Sequence, residues 1–202
     1  MSKKIDEILE KMKRLEDELR NELITSQEEL SYTIEKHRVR FEKEIIAKHK
    51  KNVENIFKYL VQTPPRHLLS APVIYSLVVP GLILDLWVTL YQWVCFPVYK
   101  IKKVKRSDYI IIDRHYLRYL NLIEKFNCVY CGYMNGLFAY VSEVAARTEQ
   151  YWCPIKHANQ IRSFHSKYKN FVDYGDAEGY HSDQARLREL LKNGDIEEEK
   201  KP

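Results

Sequence analysis

The sequence predicts a mainly α-helical protein: a long N-terminal helical or coiled-coil arm, an apolar membrane segment forming a kinked hairpin or a single span, and a small metal-stabilised helical C-terminal domain. Three observations predict it. Residues 3–60 contain no Pro or Gly and place apolar side chains three and four residues apart. The run from Leu68 to Tyr99 holds a single Asp, Asp85, and no Lys, Arg or Glu. Beyond it, two Cys-containing motifs lie about one helix length apart. The parts divide as 1–62 for the arm, 67–99 for the apolar segment, 100–190 for the Cys/His domain and 191–202 for a disordered tail.

In the arm, Ile5, Ile8, Met12, Leu15 and Leu19 trace a heptad seam. The seam slips near Leu23 and resumes at Leu30, Ile34, His37 and Phe41, then at Val53, Ile56 and Leu60. Ser26 with Glu29 could instead form a capping box that opens a second helix. An unbroken rod of this length would reach roughly 85 Å at 1.5 Å per residue. The seam favours association with a second copy or with a helical partner over packing on its own domain.

Thr63-Pro64-Pro65 stops the arm, because proline donates no backbone bond and restricts the residue before it. The apolar run then exceeds the roughly 20 residues needed to cross a bilayer. Its exit carries Trp87, Tyr91, Trp93, Phe96 and Tyr99, followed by Lys100, Lys102, Lys103, Lys105 and Arg106. Aromatic belt and basic cluster together mark a membrane boundary and place that end in the cytoplasm. Lys48, Lys50, Lys51, Lys58 and Arg66 mark the near side in the same way, so a hairpin turning at Pro80-Gly81 is favoured over a single span. Asp85 is costly at such depth unless it is protonated, paired or turned to a protein interior. The opening Met-Ser-Lys-Lys-Ile-Asp-Glu has no apolar signal core, and the expected address is a bacterial inner membrane with the soluble parts facing the cytoplasm.

After Arg106 the spacing of Ile110, Leu117, Leu120 and Ile123 predicts a helix from about Asp108 to Lys125. A second helix is predicted over 135–151 and a third from Cys153-Pro154, with Gly175, Gly179 and the charged end left as loop and tail. Cys128-Val-Tyr-Cys131-Gly has the form of a metal knuckle, and Cys153-Pro-Ile-Lys-His157 suits a helix start with two ligands on one face. Three thiolates and one imidazole at Cys128, Cys131, Cys153 and His157 make the tetrahedral set preferred by structural zinc, with iron as the alternative. A redox role for Cys128 and Cys131 lacks its usual βαβ setting. Cys95 reads as a buried thiol.

Other polar candidates are scattered. Asp113, His115 and Tyr119 could line a polar pocket, and Glu143, Glu149, His165 and His181 could join a second metal. Lys156, Arg162, His165, Lys167 and Lys169, interleaved with Trp152, Phe164 and Tyr168, suit phosphate, of lipid headgroups more than of nucleic acid. Thirty-three basic against 28 acidic residues leave a net charge of +5, too little for a dedicated nucleic-acid binder. These features point to a membrane-anchored, zinc-stabilised scaffold or adaptor. The rival is a membrane-bound metalloenzyme working through Asp85, Asp113, His115 or Glu143, followed by a nucleic-acid or lipid-headgroup binding module.

The stretches SDYIIIDRHYLRYLN, FNCVYCGYMNG and AARTEQYWCPIKHA, together with the apolar run before them, resemble a group of small uncharacterised bacterial membrane-associated proteins. The likeness covers residues 68–160 and implies no activity.

Overall fold

The computed structural model describes residues 3–29, 32–35, 38–41, 46, 49 and 52–193. It is mainly helical and divides into two units, Met1–Gln62 with Asp113–Phe126, and Thr63–Ile112 with Asn127–Pro202.

In the first unit, α1 runs Lys3–Glu29 without interruption, so Ser26 lies inside a helix and opens no second one. The seam residues Ile8, Met12, Leu15 and Leu19 are exposed along it, as is Leu23, where the seam slips. The helix does not continue to residue 60. Strands β1 (Tyr32–Glu35) and β2 (Arg38–Phe41) pair antiparallel, with Tyr32 opposite Phe41 and Ile34 opposite Val39. Both segments are rich in β-branched and aromatic residues, which fit a pleated surface better than a helix and here override the heptad spacing. Leu30 and His37 of that seam lie outside the described residues. A short α2, Ile56–Gln62, then ends at the proline pair as expected.

The second unit is built on the apolar run. Helix α3 (Pro65–Ser76) passes into α4 (Val78–Tyr99) through Leu77, which keeps right-handed helical angles. Pro80 interrupts the backbone ladder, but Gly81 N–H donates to the Leu77 carbonyl at 3.0 Å and restores it. The expected hairpin turn at Pro80-Gly81 is therefore absent, and Pro65–Tyr99 forms one 35-residue helical stretch, long and apolar enough to cross a membrane.

Helix α4 ends sharply. Lys100 takes a left-handed conformation with φ 56°, Ile101 N–H bonds the Phe96 carbonyl and Lys100 N–H bonds that of Pro97. This paired closure turns the chain back on itself. Residues 101–112 then run in reverse along α4, with short 3-10 turns at Arg106–Asp108 and, further on, Arg114–Tyr116. The expected helix from Asp108 to Lys125 does not form: the β-branched run Ile110 to Ile112 favours extended backbone, and the helix begins only at Leu122. At that start Asn121 and Glu124 cap each other: Glu124 N–H donates to Asn121 Oδ1 at 3.0 Å, and Asn121 N–H to Glu124 Oε2 at 2.8 Å.

Helix α5 is then unbroken over Leu122–Trp152 and lies parallel to α4. Tyr130 OH donates to the Ile74 carbonyl near its start, Gln92 meets Tyr140 midway, and Tyr99 packs on Tyr151 and Trp152 at its end. Phe96, Ile101, Val104, Leu137, Tyr140, Val144 and Leu191 form the core between α4, the return segment, α5 and a last helix, α6 (Ala177–Asn193). Pro154 to Lys156 does not start a helix; it pairs as a short parallel bridge with Val172. Gly179, expected in a loop, sits in the first turn of α6, which Asp176 caps by accepting the Gly179 N–H at 2.8 Å.

Candidate functional site

Helix α4 is polar inside and apolar outside. Its buried residues are Gly81, Asp85, Gln92 and Phe96, a single stripe at helical spacing. On the opposite face Val79, Ile83, Leu86, Trp87, Leu90, Trp93, Val94 and Val98 stand exposed, Trp87 and Trp93 each at 67%. A water-soluble helix shows the reverse pattern. Here the polar groups are gathered where protein can satisfy them and the large apolar side chains face out, the arrangement that a lipid environment demands.

The polar stripe holds the return segment in place. Asp85, 9% exposed, receives Arg106 Nε at 3.0 Å and Nη2 at 2.6 Å, a two-point contact, and Tyr133 OH at 3.0 Å. Arg106, expected in a cytoplasmic basic cluster, is instead the partner that makes Asp85 tolerable. The hydrogen bond that Arg106 donates to Asp85 raises the guanidinium pKa above its ordinary value. Burial, then the bond to Asp85, raises the Tyr133 phenol, which keeps its proton to donate.

About two turns further on, Gln92 replaces a strand neighbour. Its Oε1 accepts Val104 N–H at 2.6 Å, and its Nε2 donates to the Val104 carbonyl at 3.2 Å and to Tyr140 OH at 3.0 Å. Lys102 is held by its backbone, its N–H to the Leu191 carbonyl and its carbonyl to Arg147 Nη1 at 2.7 Å. Further along, Tyr109 and Ile110 lie on Gly136 and Ile111 on Gly132. A Cβ at Gly136 would sit 2.6 Å from the Tyr109 carbonyl oxygen and 2.7 Å from Ile110 Cα. The two glycines, four residues apart on α5, form the floor on which an extended chain lies against a helix.

The predicted metal set is not assembled. Cys128 and Cys131 lie on α5 itself, so the Cys-Val-Tyr-Cys-Gly segment is helix and not a knuckle. Cys153 follows the end of the same helix, about 33 Å from Cys131 at 1.5 Å per residue. His157 lies beyond it with its ring stacked on Tyr168. One ion cannot reach both ends, and among the described residues no three His, Cys, Asp or Glu converge as ligands. The thiols are free, with Cys95 half-buried.

The second metal group does not gather either. Glu143 is buried with Arg147 Nε at 3.0 Å, Lys167 Nζ at 3.6 Å and Ser166 Oγ at 2.7 Å, while Glu149 lies 3.1 Å from His165 and His181 packs on Tyr180. Lys167 and Lys156, candidates for phosphate, are engaged by Glu143 and by Asp173 at 2.6 Å. Asp113, His115 and Tyr119 share no helix: Asp113 precedes the 3-10 turn, His115 lies in it with its ring on Tyr116, and Tyr119 meets His49 edge-on. A 480 Å³ groove beside α4 is lined by Val88, Tyr91, Val141, Val144, Ala145 and Trp152, with Thr148 bonded to Tyr91.

No protein-family model, curated protein or solved structure matches this chain.

Proposed function

We propose that this chain is a membrane-anchored scaffold or adaptor of a bacterial inner membrane, held by the apolar face of α3 and α4, with its soluble parts in the cytoplasm. The observation that carries the reading is the inverted helix α4, whose only carboxylate is paired inside while its aromatic and aliphatic side chains face out. Its exposed apolar side chains run from Val79 to Val98, a contiguous patch of the kind that marks a membrane or partner surface. The basic residues after Tyr99 favour the cytoplasmic side.

The arm supplies the recruiting element. Its seam, Ile8 through Leu19, is exposed in the structure and repeats at heptad spacing, which suits a second copy or a helical partner. Leu15→Glu with Leu19→Glu in the full chain separates the two roles. The expected result is loss of chemically crosslinked dimer with membrane retention unchanged; crosslinking that survives the change removes the arm from the proposal.

A further inference from the structure

We infer that α3 and α4 lie in the plane of one leaflet, apolar face down, with Lys103, Lys105 and their neighbours reaching the phosphates of anionic lipid, rather than crossing the bilayer. This rests on the membrane reading above and says how the anchor sits.

The return segment carries the argument. Residues 101–112 are fastened to the same stripe of α4 that faces away from its apolar side: Ile101 to Phe96, Val104 to Gln92, Arg106 to Asp85. Lys102, Lys103, Lys105, Ser107 and Asp108 are exposed along it. A transbilayer α4 would therefore draw these charges to the level of its own middle, beside Asp85 and Gln92, into hydrocarbon that tolerates few of them. Lying flat, the same helix sends its apolar face down and leaves the charges above.

Two dimensions agree with this. The stretch Pro65–Tyr99 is 35 residues, about 52 Å of helix, against a hydrocarbon core of roughly 30 Å. In-plane helices sink about 5–10 Å into the boundary between headgroups and acyl chains, and a helix is about 10 Å thick, so a segment on its upper side meets the phosphates. The basic side chains there match an anionic surface in charge. Both flanks of the apolar stretch then remain on one side of the membrane, with no translocation of the arm.

Depth measurement tests the inference. Three full-length variants each keep one tryptophan, at residue 69 (Leu69→Trp), 87 or 93, the others being Phe, and are bound to phosphatidylcholine–phosphatidylglycerol vesicles carrying bromine at graded acyl positions. Residues 69 and 93 are about 36 Å apart along the axis. The expected result is that all three are quenched best by the shallow bromines. Lys103→Glu with Lys105→Glu should in addition weaken vesicle binding at least tenfold, and omission of phosphatidylglycerol should do the same to the parent chain. Deep quenching at residue 87 with shallow quenching at 69 overturns the in-plane placement while leaving the membrane reading standing. Absence of quenching at every position, with a soluble dimer that shields residue 87, overturns both.

Discussion

Replacing Gly136 with Ala tests the path of the return segment. In a helix interior Ala is favoured over Gly by about 1 kcal/mol, so both glycines of α5 would gain from the change in isolation. At Gly136 the new Cβ meets the backbone of Tyr109 and Ile110 at 2.6 and 2.7 Å, and backbone cannot step aside as a flexible side chain can. Such overpacking costs about 1–3 kcal/mol, and contacts this short belong in the upper part of that range. The net effect of Gly136→Ala is a loss of about 1–2 kcal/mol. At Gly132 the nearest atom is the Ile111 carbonyl oxygen at 3.3 Å, a slight crowding, so Gly132→Ala should be neutral or gain about 0.5 kcal/mol. The gap of about 2 kcal/mol between two identical substitutions corresponds to roughly 4–8 °C in Tm for a chain of this size. Thermal unfolding followed by near-ultraviolet circular dichroism in mild detergent reads it directly. Equal Tm values for the two variants would refute the seating of residues 109–111 on Gly136.

Further outcomes follow from the same contacts. Asp85→Asn leaves Arg106 without its carboxylate; because that side chain is 46% exposed, the cost falls below that of a fully buried pair, at about 2 kcal/mol, and Arg106→Gln in the Asn background should recover part of it in a double-mutant cycle. Gln92→Leu strands Val104 N–H and C=O in the core and should cost about 3 kcal/mol, read as faster proteolysis of the 101–112 segment. The hydrogen bond from Lys156 holds the Asp173 carboxyl below its ordinary value, so this contact stabilises at neutral pH and is lost as pH falls through that lowered value; in Lys156→Ala the Asp173 titration seen by NMR should move up. Elemental analysis after purification with zinc should show no single ion shared by Cys128, Cys131, Cys153 and His157, whereas one zinc per chain lost with each of those four residues would contradict an unbroken α5.

The helical character, the break at Thr63-Pro64-Pro65 and the long apolar stretch were legible because each rests on local chemistry: spacing, proline and hydropathy. The partner of Asp85 was not, since Arg106 lies 21 residues on and read as one more member of a basic cluster. Gln92 was overlooked because it carries no charge, although an amide in an apolar run has as great a need of partners. The Cys-x-x-Cys-Gly segment misled because its glycine looked like turn chemistry, while Gly132 and Gly136 in fact admit another chain against a helix. Asn121 with Glu124 was a readable capping signal, and it would have placed the start of α5 correctly. The β1–β2 pair shows the limit of heptad counting, since Tyr, Thr, Ile, Val and Phe satisfy an apolar seam and a strand equally well.

The most direct measurement for the account as a whole is retention of the full chain on membranes through alkaline carbonate and high salt. Both treatments strip proteins held by charge and spare those whose apolar surface is embedded. The exposed face of α4, with Trp87, Trp93 and Val98 among its side chains, requires that the chain stay with the floated membrane fraction after both washes. Recovery of a folded chain in the carbonate supernatant would contradict the anchor.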